Sequence, residues 1–223
     1  MRWLLIAIVA LFTASTVPLP RPGVSASVII ENRAEGHGSG IFISPTQVLT
    51  AKHVAKMKDM VVRDVDGGLH HILSVANSED TDVSILTVDH PFTGVVPKIS
   101  CNPPERGETL HYYGNPSELE FVGPVYLHFI GGRGGDEMPS NTSLADGVII
   151  PGSSGSGVMD EKGKVVGIIT TQFRDVDLIE TDNGDYFRET TPTGIGAYVS
   201  FHYPEVCDFV TAQVHSKQYV ASK

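Results

Sequence analysis

The sequence predicts an all-β protein made of two small antiparallel halves, either two barrels or the layers of a sandwich. Three observations carry this. Short runs rich in Val and Ile recur at close spacing, punctuated by Gly, Pro and Asp. Glycine and proline number 23 and 14, which favours tight turns over long helices. A stretch from Pro91 to Arg106, rich in Pro and polar residues and containing Pro103-Pro104, separates the strands into two sets.

The amino terminus is set apart first. Arg2 is followed by an apolar run, Trp3 to Phe12, of signal-peptide length, and Val24-Ser25-Ala26 offers a small-residue cleavage site. The run from Trp3 to Leu19 is interrupted by Thr13, Ser15, Thr16 and Pro18, and is short for a span of roughly 20 residues. A cleaved signal over residues 1–26 and a secreted or periplasmic protein are expected. An uncleaved anchor over residues 3–19, and with it a membrane-attached protein, is the alternative.

The first half, residues 27–95, opens with a strand at Ser27 to Glu31. Strands at Gly38 to Ser44 and Gln47 to Thr50 follow, with Pro45-Thr46 as the turn between them. Ala51 to Lys58 suits a helical turn or two. Met60 to Arg63 and His70 to Val75 flank Asp66-Gly67-Gly68, a hairpin signal, and Val83 to Val88 completes the set. After a linker over residues 96–106, the second half (107–203) offers Thr109 to Tyr113, Val122 to Ile130, Gly147 to Ile150, Gly155 to Met159, Val165 to Thr171 and Gly196 to Phe201. Asp160 to Gly163 forms a turn among them. Residues 204–223 begin with a proline at a first helical position, and Pro204 to Val214 reads as a closing helix.

The 223 residues carry a formal charge of −10, and removal of Arg2 and Arg21 with the leader makes it −12. An acidic surface repels phosphate backbones, so nucleic acid is excluded as a partner. No CxxC or His/Cys cluster suggests a metal, and no cofactor is called for. The two cysteines, Cys101 and Cys207, form either one long-loop disulfide or two buried thiols. Asn141-Thr142-Ser143 is a glycosylation sequon, relevant in a eukaryotic secretory route.

Three segments carry chemistry. A serine hydroxyl attacks a carbonyl only with a base in reach, an orienting group behind the base, and backbone N–H donors for the oxyanion. Pro151-Gly-Ser-Ser-Gly-Ser-Gly157 sits between apolar runs. Its glycines permit a tight turn that presents Ser154 Oγ, with the N–H groups of Gly152 and Ser154 converging and that of Ser153 nearby. A plain flexible Gly/Ser loop is the bland alternative. His53, after the strand ending at Thr50, is the candidate base. Asp82 leads into an apolar strand, where a partly buried carboxylate needs a partner such as an imidazole N–H; Asp80 is the competing choice.

Together these segments resemble the trypsin superfamily. Thr50-Ala51-Lys52-His53 is similar to its Thr-Ala-Ala-His box, Asp82-Val-Ser-Ile-Leu to its Asp-Ile-Ala-Leu-Leu box, and Gly152-Ser153-Ser154-Gly155-Ser156 to its Gly-Asp/Asn-Ser-Gly-Gly/Ser box. The order His, Asp, Ser and the spacings of 29 and 72 residues fit as well. Gly38-Ser-Gly-Ile-Phe-Ile-Ser44, Tyr113-Gly-Asn-Pro116 and the approach from Ala145-Asp146 to Gly152 look like the HtrA/DegP-like and glutamyl-endopeptidase-like bacterial branches. No PDZ module is expected, and an Ile-Val-Gly-Gly activation terminus is absent. Lys52 stands where the family has alanine; a cation pointing inward there would lower the pKa of the base. Ser153 stands where the family has Asp or Asn.

The resemblance implies two six-stranded antiparallel barrels with a short C-terminal helix. It implies a monomeric serine endopeptidase with the triad His53, Asp82 and Ser154, an oxyanion hole from Gly152, Ser153 and Ser154, and polypeptide substrates. It places the specificity pocket between Val148 to Gly152, Ile169 to Gln172 and the strand Gly194 to Val199, with Val148, Ile149, Ile150, Ile169, Thr170 and Thr171 as lining. Val148 stands six residues before the serine, where trypsin-like specificity needs an aspartate, so uncharged side chains are expected at the cleavage position. It also brings Cys101 and Cys207 together as a disulfide. The rival readings are a protease-like binding module without catalysis and an α/β-hydrolase. The latter needs Gly-x-Ser-x-Gly before a helix and a histidine that comes last.

Overall fold

The computed structural model describes residues 22–32, 36–115, 122–132, 141–180 and 186–218. A short helix α1 (Pro22–Ala26) leads into β1 (Ser27–Asn32), β2 (Gly36–Ser44), β3 (Gln47–Thr50), β4 (Val61–Asp64), β5 (Leu69–Asn77) and β6 (Ser84–Val88). These close as β1-β2-β3-β6-β5-β4, sealed by pairing of β1 with β4. The second set is β7 (Thr109–Gly114), β8 (Val122–Gly132), β9 (Thr142–Asp146), β10 (Gly157–Met159), β11 (Val165–Glu180) and β12 (Tyr186–Ser200). It closes as β10-β11-β12-β9-β8-β7 through the pair Met159 and His111. Helix α2 (Pro204–Gln218) ends the described chain. The expected all-β fold of two six-stranded antiparallel barrels and one C-terminal helix is what the chain adopts.

Local chemistry explains the turns. Asp64 Oδ1 accepts from the N–H groups of Asp66 and Gly68, and Gly67 takes a φ of +85°, so the Asp-Gly-Gly stretch folds β4 back into β5. The expected helix at 51–58 shrinks to a 3-10 turn, Val54–Lys56. The apolar run at 147–150 is not a strand. Gly147 breaks the ladder at φ +145° and donates to Gly194 O, and the strand lies just before it, as β9. β11 and β12 run past their expected ends because residues 174–180 and 186–192 pair with each other as an antiparallel arm.

One apolar cluster joins the barrels: Ile41, Val54 and Val83 from the first share it with Met159, Val165 and Ile168 from the second and Val206 and Val210 from α2. A second cluster fills the second barrel, with Leu110, Tyr112, Leu127 and Tyr198 fully buried. Helix α2 also reaches the first barrel, where Gln47 Nε2 donates to Gln213 O at 3.0 Å. The Cys101–Cys207 disulfide ties the linker to α2, with a Cα–Cα distance of 5.8 Å.

The segment expected to carry a cleavage site, Val24-Ser25-Ala26, lies in α1 and is packed. Ala26 is buried, Ser27 Oγ donates to Gly23 O at 2.7 Å, and a Cβ on Gly23 would meet Met159 and Tyr113. The rest of the leader, residues 1–21, lies outside the described residues. Among those described, no helix is long and apolar enough to cross a membrane. Asn141 of the sequon is 4% exposed and sits at φ +73°, which leaves no room for a glycan in the folded state.

Candidate active site

The cleft between the barrels collects the three predicted segments. β3 delivers His53: after Thr50 the chain turns, the N–H groups of Val54 and Ala55 bond Ala51 O, and Val54 is buried against Gly38. This leaves the His53 imidazole exposed on the cleft side. The connection from β5 to β6 delivers Asp82. Its Oδ1 accepts the His53 backbone N–H at 2.9 Å and its Oδ2 meets His53 Nδ1 at 2.7 Å. Asp82 O accepts the Lys52 N–H as well, at 3.2 Å. With Nδ1–H pointed at the carboxylate, a neutral His53 keeps Nε2 as an acceptor. Asp80 lines the outer side of the same connection and holds no imidazole.

The nucleophile loop comes from the second barrel and is bonded to the first. Ser39 N–H donates to Ser154 O at 2.8 Å, and Ser39 Oγ donates to Gly152 O at 2.8 Å while accepting the Asn115 N–H. Thr50 Oγ1 closes this set by donating to Ser39 O at 2.7 Å. Gly155 must be glycine: at φ +89°, a Cβ would lie 2.1 Å from Ser39 O and 2.3 Å from Thr50 Oγ1. Gly152, at φ +93°, has His37 Nε2 and Asn115 O where its Cβ would go.

Ser154 Oγ donates to Thr170 O at 3.3 Å. Among the described residues it makes that bond and not one to His53. The N–H groups of Gly152 and Ser154 meet no acceptor among the described residues, which leaves both for an oxyanion. Ser153 differs from the expectation: its N–H donates to Ile150 O at 3.0 Å and its side chain is buried, so it turns the loop and does not line the hole.

Beside Ser154 lies a pocket of about 180 Å³, walled by Ile149, Ile150 and Pro151 on one side and Thr170, Thr171 and Gln172 on the other. Among the described residues, no titratable side chain lines it. Two of the predicted lining residues stand elsewhere. Val148 is 52% exposed because its segment is a loop, not a strand, and its carbonyl instead accepts from Tyr112 Oη. Ile169 is fully buried, pointing into the barrel, as alternation along β11 requires. Gln172 was missed as a lining residue. Its Oε1 accepts the Ile149 N–H and its Nε2 donates to Ile195 O at 2.8 Å, so one amide braces both walls. Burial raises the Tyr112 phenol above its ordinary pKa, so this strut stays a hydrogen-bond donor at neutral pH.

Known proteins share this architecture. The family described as trypsin-like peptidase domain matches residues 38–168, more than half of the chain. No curated protein sequence is a match. The serine endoprotease from Yersinia pestis is 25% identical at a TM-score of 0.63, over 88% of this chain and 64% of that one. The HtrA-type protease AlgW, solved with a tripeptide, is 20% identical at 0.63, over 80% of this chain and 57% of its own. The Rv3671c protease of M. tuberculosis H37Rv is 21% identical at 0.60, over 88% and 89%. The chain thus spans less than two thirds of the first and second of these. On the matched family and the shared two-barrel fold, this chain belongs to the trypsin-like peptidase domain family.

Proposed function

We propose that the chain hydrolyses peptide bonds through an acyl-enzyme, with Ser154 as nucleophile, His53 as general base and acid, and Asp82 as the group that orients His53. The observation that carries this reading is the double grip of the Asp82 carboxylate on the His53 ring and backbone, in the cleft where Ser154 is held. Rotation about the Cα–Cβ bond takes Ser154 Oγ off Thr170 O and turns it to His53 Nε2; catalytic hydrogen bonds commonly tighten only when substrate is present. His53 takes the hydroxyl proton as Oγ attacks the carbonyl. Asp82 offsets the imidazolium charge, and the N–H groups of Gly152 and Ser154 hold the oxyanion, each worth about 2.7–4 kcal/mol in comparable sites. His53 then gives the proton to the leaving amine, and water, activated by the same imidazole, releases the acyl group.

The substrate is an extended polypeptide, its backbone running beside Thr170 to Gln172. The small pocket of Ile149, Ile150 and Thr171 accepts uncharged side chains. The disulfide favours an oxidising compartment, which supports export of the protein. The test is digestion of casein or a peptide library beside Ser154→Ala, where loss of the nucleophile costs about 10⁶ in turnover. Equal activity in both ends the reading.

One observation favours a second reading, a binding module without catalysis: the Ser154 hydroxyl bonds Thr170 O in place of His53. A fluorophosphonate that labels Ser154 in the folded protein rules it out, and failure to label supports it.

A further inference from the structure

The residue before the candidate base does something an alanine cannot. Lys52 is half-buried, and its Nζ turns away from the imidazole to the connection between β5 and β6. There it donates to Ser78 O at 2.6 Å and Glu79 O at 3.4 Å. That connection, Ser78 to Val83, carries Asp82. It is closed at its base by Ser78 N–H on Val83 O at 2.9 Å and by Thr81 Oγ1 on Ser78 Oγ at 2.9 Å. Its outer side forms a hollow of about 250 Å³ lined by Lys52, Lys56, Glu79, Asp80, Thr81 and Asp82. Three carboxylates within four residues repel one another, and the loop carries no cation of its own to hold them.

We infer that Lys52 is a positioning residue for the catalytic site: its ammonium anchors the Ser78–Asp82 loop so that the Asp82 carboxylate meets His53. The inference rests on the triad reading above. The physical logic is local. Backbone bonds fix Asp82 at one end of the loop, through Lys52 N–H on Asp82 O and His53 N–H on Asp82 Oδ1. The lysine side chain fixes the other end, at residues 78 and 79. One residue therefore holds both ends, and the carboxylate at the Asp82 end is kept against His53. Charge-assisted bonds to carbonyls are the stronger kind, and the positive charge faces a loop that is otherwise acidic. The substitution noted against the family pattern is a bracing device and not a cation set against the base.

The test compares Lys52→Met, Lys52→Arg, Asp82→Ala and the double variant Lys52→Met/Asp82→Ala on an amide substrate, with Ser154→Ala as the zero. Lys52→Met keeps the stem and removes the donor; kcat falls about ten- to hundredfold with KM within about twofold, as for a displaced catalytic group. Lys52→Arg retains kcat to within about threefold, because guanidinium also donates to carbonyls. In the Asp82→Ala background, Lys52→Met changes kcat by less than about twofold, since the lysine acts through the carboxylate. The same loss in both backgrounds, or none in either, overturns the inference. A readout independent of turnover is amide hydrogen exchange across Ser78 to Asp82, which speeds about tenfold or more in Lys52→Met. Unchanged exchange overturns the anchoring even where activity is measurable. Activity equal in wild type and Ser154→Ala defeats the triad reading instead, while the exchange experiment still judges the loop.

Discussion

Replacing Asp82 with asparagine exchanges one carboxylate oxygen for an NH₂ group and tests the site's logic most directly. The carboxylate uses both oxygens as acceptors, Oδ1 for the His53 backbone N–H and Oδ2 for Nδ1. Asparagine has one acceptor and one donor group. The backbone N–H is the partner that cannot change, so the amide oxygen stays there and the NH₂ faces the ring. Nδ1 must then accept, the proton moves to Nε2, and Nε2 can no longer take a proton from Ser154. The fold survives, because the side chain keeps its shape and the backbone bond. The corresponding change of the triad aspartate in a Ser-His-Asp protease lowers kcat by about 10⁴. At 1.36 kcal/mol per decade, that is about 5.4 kcal/mol of transition-state stabilisation. The assay is kcat on a chromogenic amide at pH 7 to 8, with melting temperature as the control for folding. A variant within tenfold of wild type, at unchanged melting temperature, would falsify the orienting role of Asp82.

Other consequences follow from the same structure. Reducing the disulfide, or Cys101→Ser with Cys207→Ser, opens a loop spanning 106 residues; the chain-entropy account gives about 4–5 kcal/mol, or about 10–20 °C in melting temperature for a domain of this size. A scanning-calorimetry shift under 3 °C would sink that estimate. Burial holds the His202 imidazole below its ordinary pKa, so the unfolded chain binds a proton that the folded chain refuses. Stability from this group is present above about pH 6.5 and drains away as pH falls through the folded value. His202→Asn should flatten the urea-midpoint curve on the acid side, and parallel curves would reject the assignment. Gln172→Ala removes the acceptor of the Ile149 N–H and the brace to Ile195, which admits bulkier side chains in a peptide-library digest. An unchanged cleavage profile counts against the brace. A chain starting at Ser27 should melt about 5–10 °C below one starting at Pro22, since it uncovers Met159 and Tyr113. Equal melting would show that α1 adds nothing.

Much of this was legible because the informative features are local. Asp-Gly turns, alternating Val and Ile, and a Pro-rich divide are visible within a few residues, and they gave nearly every strand of the first barrel. The errors have a common physical origin. Val148-Ile149-Ile150 is as apolar as any strand, yet Gly147 beside it, with Tyr112 and Gln172 distant in sequence, holds it as a loop whose Ile149 and Ile150 wall a pocket. Thr142 to Asp146 looks unremarkable and is a strand because β8 and β12 flank it. The β11–β12 arm could not be foreseen from Thr171 to Gly196, because its two halves stabilise each other and not the barrel. In the site, residue types and order were readable; the partner chosen by each hydroxyl and ammonium was not. Lys52 shows this most plainly: its neighbour in sequence is the base, and its partners in space are two carbonyls 26 and 27 residues away.

The division of the site between barrels has its own consequence. His53 and Asp82 belong to the first barrel and are fixed by bonds within it. Ser154 belongs to the second and reaches the first through Ser39, whose backbone and hydroxyl hold Ser154 O and Gly152 O together. In the proposed triad, neither barrel alone contains the nucleophile, the base and the oxyanion donor pair. Catalytic geometry is therefore a property of docking, and docking depends on the shared apolar cluster and on α2, which the disulfide fixes to the linker and Gln47 fixes to β3. Strain that loosens α2 reaches the cleft as a displacement of Ser39 relative to the Ser154 loop. A shift of about 1 Å there costs on the order of a hundredfold in rate. Activity should thus fall before either barrel unfolds.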